Sequence, residues 1–210
     1  MHPIDDEGKT VTYQYRPLSP FEVLLRIAKG EFANIDSFRK HAGQAHLKQK
    51  VFLERLATNY HRNSRDHDWL VDDLHALEDF ATLFAEFSIV GLWRCIELFR
   101  KRAIWNCLGK EGAGVFTHKK FQSELSRLQI KEGRISCSRT VDELRCLNNS
   151  IKHDQRVGNE LAAFRYWKNR AGGPLGNLTA RYPRFCTAAE RYLNHLTETL
   201  ISRVRPVSKK

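Results

Sequence analysis

The stretch Glu143-Leu-Arg-Cys-Leu-Asn-Asn-Ser-Ile-Lys-His-Asp154 concentrates more reactive side chains than any other part of the chain. On a helix, Arg145, Asn149 and His153 fall four residues apart along one slowly rotating face. Asn148 and Lys152 form a neighbouring pair, while Leu144, Leu147 and Ile151 point the other way, toward a core. Such a set can cleave RNA without a metal. A neutral histidine, with its ordinary pKa of about 6.5, can take the proton from a ribose 2′-hydroxyl. Arginine or lysine holds the phosphate and offsets the charge that builds at the pentacoordinate centre. Asparagine orients the histidine or donates to a phosphate oxygen. The same spacing also fits a structural role, in which His153 ends its helix under the macrodipole and Arg145 is solvated.

The string ELRCLNNSIKHD, preceded by a long helical hairpin, resembles the HEPN superfamily (higher eukaryotes and prokaryotes nucleotide-binding domains), and most of all bacterial members whose last motif reads LxN-x-IKH. The likeness is strong over these 12 residues and loose over 66–205, through helix order. It implies a four- or five-helix bundle that dimerises with its two motif helices face to face. Many members are metal-independent ribonucleases of toxin–antitoxin, CRISPR-linked or abortive-infection systems, and others are non-catalytic. The family motif is an arginine, four to six residues, then a histidine, often with a polar residue after the arginine. His153 matches the histidine and Asn149 the polar residue, while Asn148 occupies the arginine position. The nearest upstream arginine, Arg145, is separated from His153 by seven residues. The resemblance implies catalysis by His153 with Arg145 and Asn149, phosphate contacts from Asn148 and Lys152, and an antitoxin or defence-system partner.

A second group interleaves bases with aromatics: Arg165, Tyr166, Trp167, Lys168 and Arg170, then Arg181, Tyr182, Arg184 and Phe185. That composition suits phosphate contact with base stacking, so Arg165, Lys168, Arg170, Arg181 and Arg184 are candidate RNA contacts. Aromatics beside prolines and caps serve equally well as core. Arg94 and Glu97 sit inside an apolar helix and are expected to pair with each other or across to the motif helix. The glycine-rich run Gly109–Gly114 lacks the order of a phosphate-binding P-loop and reads as a connection. His41, His46, His61 and His67 lack metal-ligand spacing, so neither a metal nor a cofactor is expected.

Charge points the same way. Of 210 residues, 35 are Lys or Arg and 24 are Asp or Glu, a net of +11. Residues 1–80 carry 11 basic and 13 acidic groups, and residues 81–210 carry 24 and 11, so the positive field belongs to the second part. A chain this basic favours a polyanionic partner, and RNA is the expected one. Five cysteines without a CxxC pair read as reduced, mostly buried thiols. The start MHPIDDEGKT has no signal-like pattern, and the most apolar run, Phe87 to Trp93, is far short of the ~20 residues of a membrane span. A cytoplasmic protein with no membrane contact is expected.

These groups must be positioned by helices. The pattern predicts an all-α, HEPN-like bundle in four segments: an irregular lead-in over 1–17, N-terminal helices over 18–65, the bundle over 66–205 and a basic tail over 206–210. The lead-in holds a short strand-like patch at Val11–Tyr15. Ser19 and Pro20 start a helix expected to stop near Gly30, with another over 36–63. Leu70, Leu74, Leu77, Ala81 and Phe84 mark an amphipathic helix that becomes apolar all round over 83–99. That helix, with the motif helix, is the expected homodimer interface, and Gly91 is its expected bend. Helices over 118–129, from a Thr140/Glu143 capping box to His153, from Asn159 to Trp167, and from Arg184 to Val204 complete the reading.

Overall fold

The structure is a computed structural model that describes residues 18–59, 65–107 and 117–204. The lead-in with Val11–Tyr15, the Gly109–Gly114 run, His61 and the 206–210 tail lie outside the described residues. Among the described residues, six α-helices follow in order: α1 (Pro20–Asn59), α2 (Arg65–Arg102), α3 (His118–Arg127), α4 (Ser138–His153), α5 (Asn159–Ala162) and α6 (Leu178–Arg203). A wide helical turn over Ala103–Cys107 extends α2, and a single tight turn spans Glu132–Arg134. Among the described residues there is no strand, only one isolated bridge between Arg156 and Pro174. No described helix is long and apolar enough to cross a membrane.

α1 begins where the sequence indicates. Ser19 Oγ accepts from the Glu22 amide at 3.2 Å, and the Glu22 carboxylate accepts from the Ser19 amide at 2.7 Å. This is a reciprocal capping box. The helix does not stop at Gly30, however; one helix of 40 residues runs through it. Phe21, Leu24, Ala28 and Phe32 form an unbroken buried face across that glycine, so tertiary packing on α2 outweighs its weak helix propensity. Gly91 does not bend α2 either. It lies where α1 comes close: a β-carbon there would sit 3.3 Å from Ile35 Cδ1. Glycine lets the two long helices approach.

The all-apolar part of α2 is the centre of the bundle. Ile89, Leu92 and Ile96 are fully buried within this one chain, together with Trp93 and Phe99, against α1, α4 and α6. The expected partner surface on 83–99 therefore shrinks to Leu83 and Phe87, which stay exposed. Arg94 is exposed and forms no ion pair with Glu97 among the described residues. The buried charge of α2 is Arg100 instead.

Three later elements also differ from the sequence reading. α4 begins at Ser138, behind Cys137 in a left-handed conformation (φ 59°), so Thr140 lies inside the first turn and caps nothing. The segment after Asn159 is helical only to Ala162 and then continues as successive tight turns, Phe164 onto Leu161, Trp167 onto Phe164 and Arg170 onto Trp167. Gly172 closes that path at φ +75°, bonding back to Val157. α6 starts at Leu178 rather than Arg184, capped by Asn177 Oδ1 on the Ala180 amide, and carries Pro183 within it. Proline there leaves the Thr179 carbonyl without its helical donor. Arg39 of α1 donates to that oxygen at 3.5 Å.

Candidate nucleic-acid interface

The first turn of α4, the turns of 164–170 and the start of α6 enclose an open cleft of about 820 Å³. Arg139, Arg165, Arg170 and Arg184 line it, with Tyr166 and Thr140 beside them and the single carboxylate of Glu143 behind. Glu143 is buried and accepts from Trp167 Nε1 at 2.9 Å and from Arg184 Nη2 at 2.5 Å. It therefore anchors the floor of the cleft and holds one guanidinium in place. Arg170, and Arg181 just outside the cleft, are held by a ring rather than by an acid. Arg170 lies 4.3 Å and Arg181 2.8 Å from the Tyr166 ring, and Tyr166 meets the fully buried Trp167 edge-on at 4.8 Å. A cation–π contact fixes a guanidinium without neutralising it.

Arg139, Arg165 and Arg170 have no carboxylate partner among the described residues. The α4 N-terminus faces the same space, and Cys137 supplies no side-chain cap to its amides. Helix dipole and unpaired donors both favour an anion there. The interleaved aromatics thus work differently from the sequence expectation. Tyr166 carries Arg170 and Arg181 on its ring, where a base would stack.

The structure brings Arg165, Arg170 and Arg184 together and places Arg181 behind them on Tyr166; Lys168 is exposed but does not line the cleft. It does not bring the motif residues into one constellation. Asn149, Lys152 and His153 are exposed at the C-terminal end of α4. Asn148 is buried, donating to Asn149 Oδ1 at 3.3 Å, and its own Oδ1 has no partner among the described residues. Arg145 turns toward the helix start, bonding Asp142 at 2.7 Å and Glu160 at 3.3 Å. His153 lies eight residues further on, about 12 Å along the axis. Arg145 is therefore committed to carboxylates rather than offered to a phosphate beside His153.

A second polar cluster has no counterpart in the sequence reading. Arg100, only 2% exposed, donates to Glu132 at 2.7 Å and to the Tyr192 hydroxyl at 2.8 Å, with His118 Nδ1 at 3.2 Å. The Trp93, Phe121 and Tyr192 rings surround its guanidinium. Tyr192 and Gln122 donate to Glu132 in turn. The network ties α2, α3, the 132–134 turn and α6 together, and His118 borders a small surface cleft with Asp142 and Arg139. Burial lowers the His118 pKa from 6.5, helped by Arg100 and opposed by Glu132. Sequence gave no signal for it, because Arg100, His118, Glu132 and Tyr192 are far apart along the chain. Arg139, directly before Thr140, is isolated from other basic residues in the sequence and joins the arginine group only in the fold.

Among the described residues no three His, Cys, Asp or Glu side chains are grouped to hold a metal. Cys95, Cys137, Cys146 and Cys186 are free thiols. Burial pushes Cys95 and Cys146 up to about 12, which makes them poor nucleophiles. No family model, curated protein or solved structure matches this chain.

Proposed function

We propose that this protein is a HEPN-like helical module that binds RNA through its phosphates in the arginine cleft. One observation carries the reading: Arg139, Arg165 and Arg170 line a single cleft and have no carboxylate partner among the described residues. All three are exposed, so their charge is offered to solvent and to any anion that enters the cleft, and arginine's planar donor fork suits phosphate. The excess of basic groups over residues 81–210 adds long-range attraction. Fluorescence anisotropy with a single-stranded RNA oligonucleotide across a salt series tests it. Affinity should fall linearly on a log–log plot, and Arg165→Ala with Arg170→Ala should reduce the slope by about 1.4, from about 0.7 per lost phosphate contact. An unchanged slope in that double variant would sink the reading.

A second reading, metal-independent cleavage by 2′-hydroxyl attack, is favoured by the exposure of Asn149, Lys152 and His153 together in the last turns of α4. The toxin or phage-defence setting, with an antitoxin or defence partner, belongs to this reading. Its test is RNA cleavage in EDTA: wild type cuts and His153→Ala does not. Intact RNA with wild type across pH 6 to 8 leaves binding as the activity.

A further inference from the structure

We infer that one face of the α1–α2 hairpin is a self-association surface on which a second copy of this chain packs, forming a two-fold four-helix bundle. This surface is separate from the arginine cleft, and the inference does not depend on RNA binding. Both long helices carry an apolar stripe beyond the one they spend on each other. On α2, Trp69, Phe80, Leu83 and Phe87 are 74%, 52%, 48% and 70% exposed. At 100° per residue they fall within about 60° of arc. On α1, Phe38 and Phe52 are 63% and 55% exposed, and with Ala45 they fall within about 40° of arc.

The two stripes share one side of the hairpin. Each is displaced from its own helix's buried face in the same rotational sense, and in antiparallel helices this turns both to the same side. Contacts agree, since Phe38 packs on Phe84 at 4.9 Å and Phe84 lies beside Phe80 at 6.3 Å. The start of α6 packs at the border of this face: Arg39 reaches the Thr179 carbonyl and covers the Tyr182 ring, Thr179 shares a small cavity with Phe80 and Phe84, and the 174–179 segment lies beside Glu86. The stripe residues themselves stay exposed after the chain has folded. From residue 69 to 87 the face is about 27 Å long and about two helix diameters wide. With the relief of five aromatic rings, that is of the order of the ~800 Å² per partner of a standard interface.

The rim charges select the second copy and its orientation. Outside the α2 stripe run Asp72, Asp79 and Glu86, and outside the α1 stripe run His41, Lys48 and Arg55, each series seven residues apart. None of these six forms an ion pair among the described residues. The hairpin's own register is read from Ile35 against Gly91 and Lys50 against Glu78, pairs whose numbers add to 126 and 128. A two-fold axis parallel to the helices lays α2 of one copy over α1 of the other in that same register. It sets 72 against 55, 79 against 48 and 86 against 41, pairs that all add to 127. Acid meets base three times on each edge. An axis across the helices would stack α2 on α2 and carboxylate on carboxylate. The interface is therefore isologous and closed, with aromatics at its centre and ion pairs at its rim.

Sedimentation equilibrium of the full chain tests this, with circular dichroism to confirm that each variant is folded. Wild type should be a dimer at micromolar concentration, and Phe80→Asp with Phe87→Asp a helical monomer. Lys48→Glu should weaken the dimer about tenfold, because two symmetric contacts become repulsive at once. Adding Asp79→Lys to that chain should restore it, since each edge regains an opposite pair. These charge variants are exposed, so they report on pairing even where the aromatic variant fails to fold. A monomeric wild type, a dimer unchanged by Phe80→Asp with Phe87→Asp, or a charge swap without rescue each overturns the inference.

Discussion

Arg100 and the cleft arginines show two fates of one side chain. Arg100 is desolvated and its two terminal nitrogens are held by Glu132, Tyr192 and His118, so its work is structural. Tyr192→Phe should lower stability by about 1–3 kcal/mol in chemical denaturation, because the buried Arg100 and Glu132 each lose a partner. His118 gives the cluster a pH dependence with a definite sign. Its folded pKa lies below the 6.5 of the free side chain, so the unfolded chain binds the proton more readily. The contribution is complete above pH 6.5 and is lost as pH falls through the folded pKa. His118→Gln should flatten the stability profile below pH 6.5, and thermal melts from pH 5 to 8 check it.

At the scale of elements, two of the three glycines of the long hairpin, Gly30 and Gly91, have opposite reasons to be there. Gly30 is exposed, has nothing within 4 Å of an added β-carbon and sits mid-helix. Gly30→Ala should therefore stabilise by about 0.5–1 kcal/mol. Gly91 permits the approach of Ile35, so Gly91→Val should destabilise despite the gain in backbone propensity, and paired urea titrations compare the two. α4 divides its chemistry by position. Its first turn and Glu143 build the arginine cleft, and its last turns expose Asn149, Lys152 and His153. Ten residues, about 15 Å, separate Glu143 from His153, so one substitution tests one end without disturbing the other.

For the molecule as a whole, the cleft exists only when α4, the 164–170 turns and α6 are docked, so an anion bound there stabilises the fold. A short RNA at about 100 times its Kd should add about 2.7 kcal/mol to wild-type stability. The gain should largely vanish in the Arg165→Ala, Arg170→Ala protein, as a shift in thermal midpoint would show. A matching gain in that variant would place the bound RNA elsewhere on the basic surface.

Much of this was legible in the chain itself. Helical periodicity, the Ser19 start, the end of α4 at His153 and the apolar middle of α2 are local patterns of spacing and capping, and the all-helical class follows from them. Arg165, Arg170 and Arg184 were recognisable as a basic group by composition alone. What spacing cannot say is which partner each group meets. Gly30 and Pro183 look like stops until packing on a neighbouring helix outweighs them. Arg145 looks free until Asp142 and Glu160 take it, and Tyr166 looks like a base platform until arginines occupy its ring. The sequence by itself determined the helices and the charge. Tertiary structure decided which charges are neutralised and which face water, because pairing and burial depend on contacts between residues far apart in the chain.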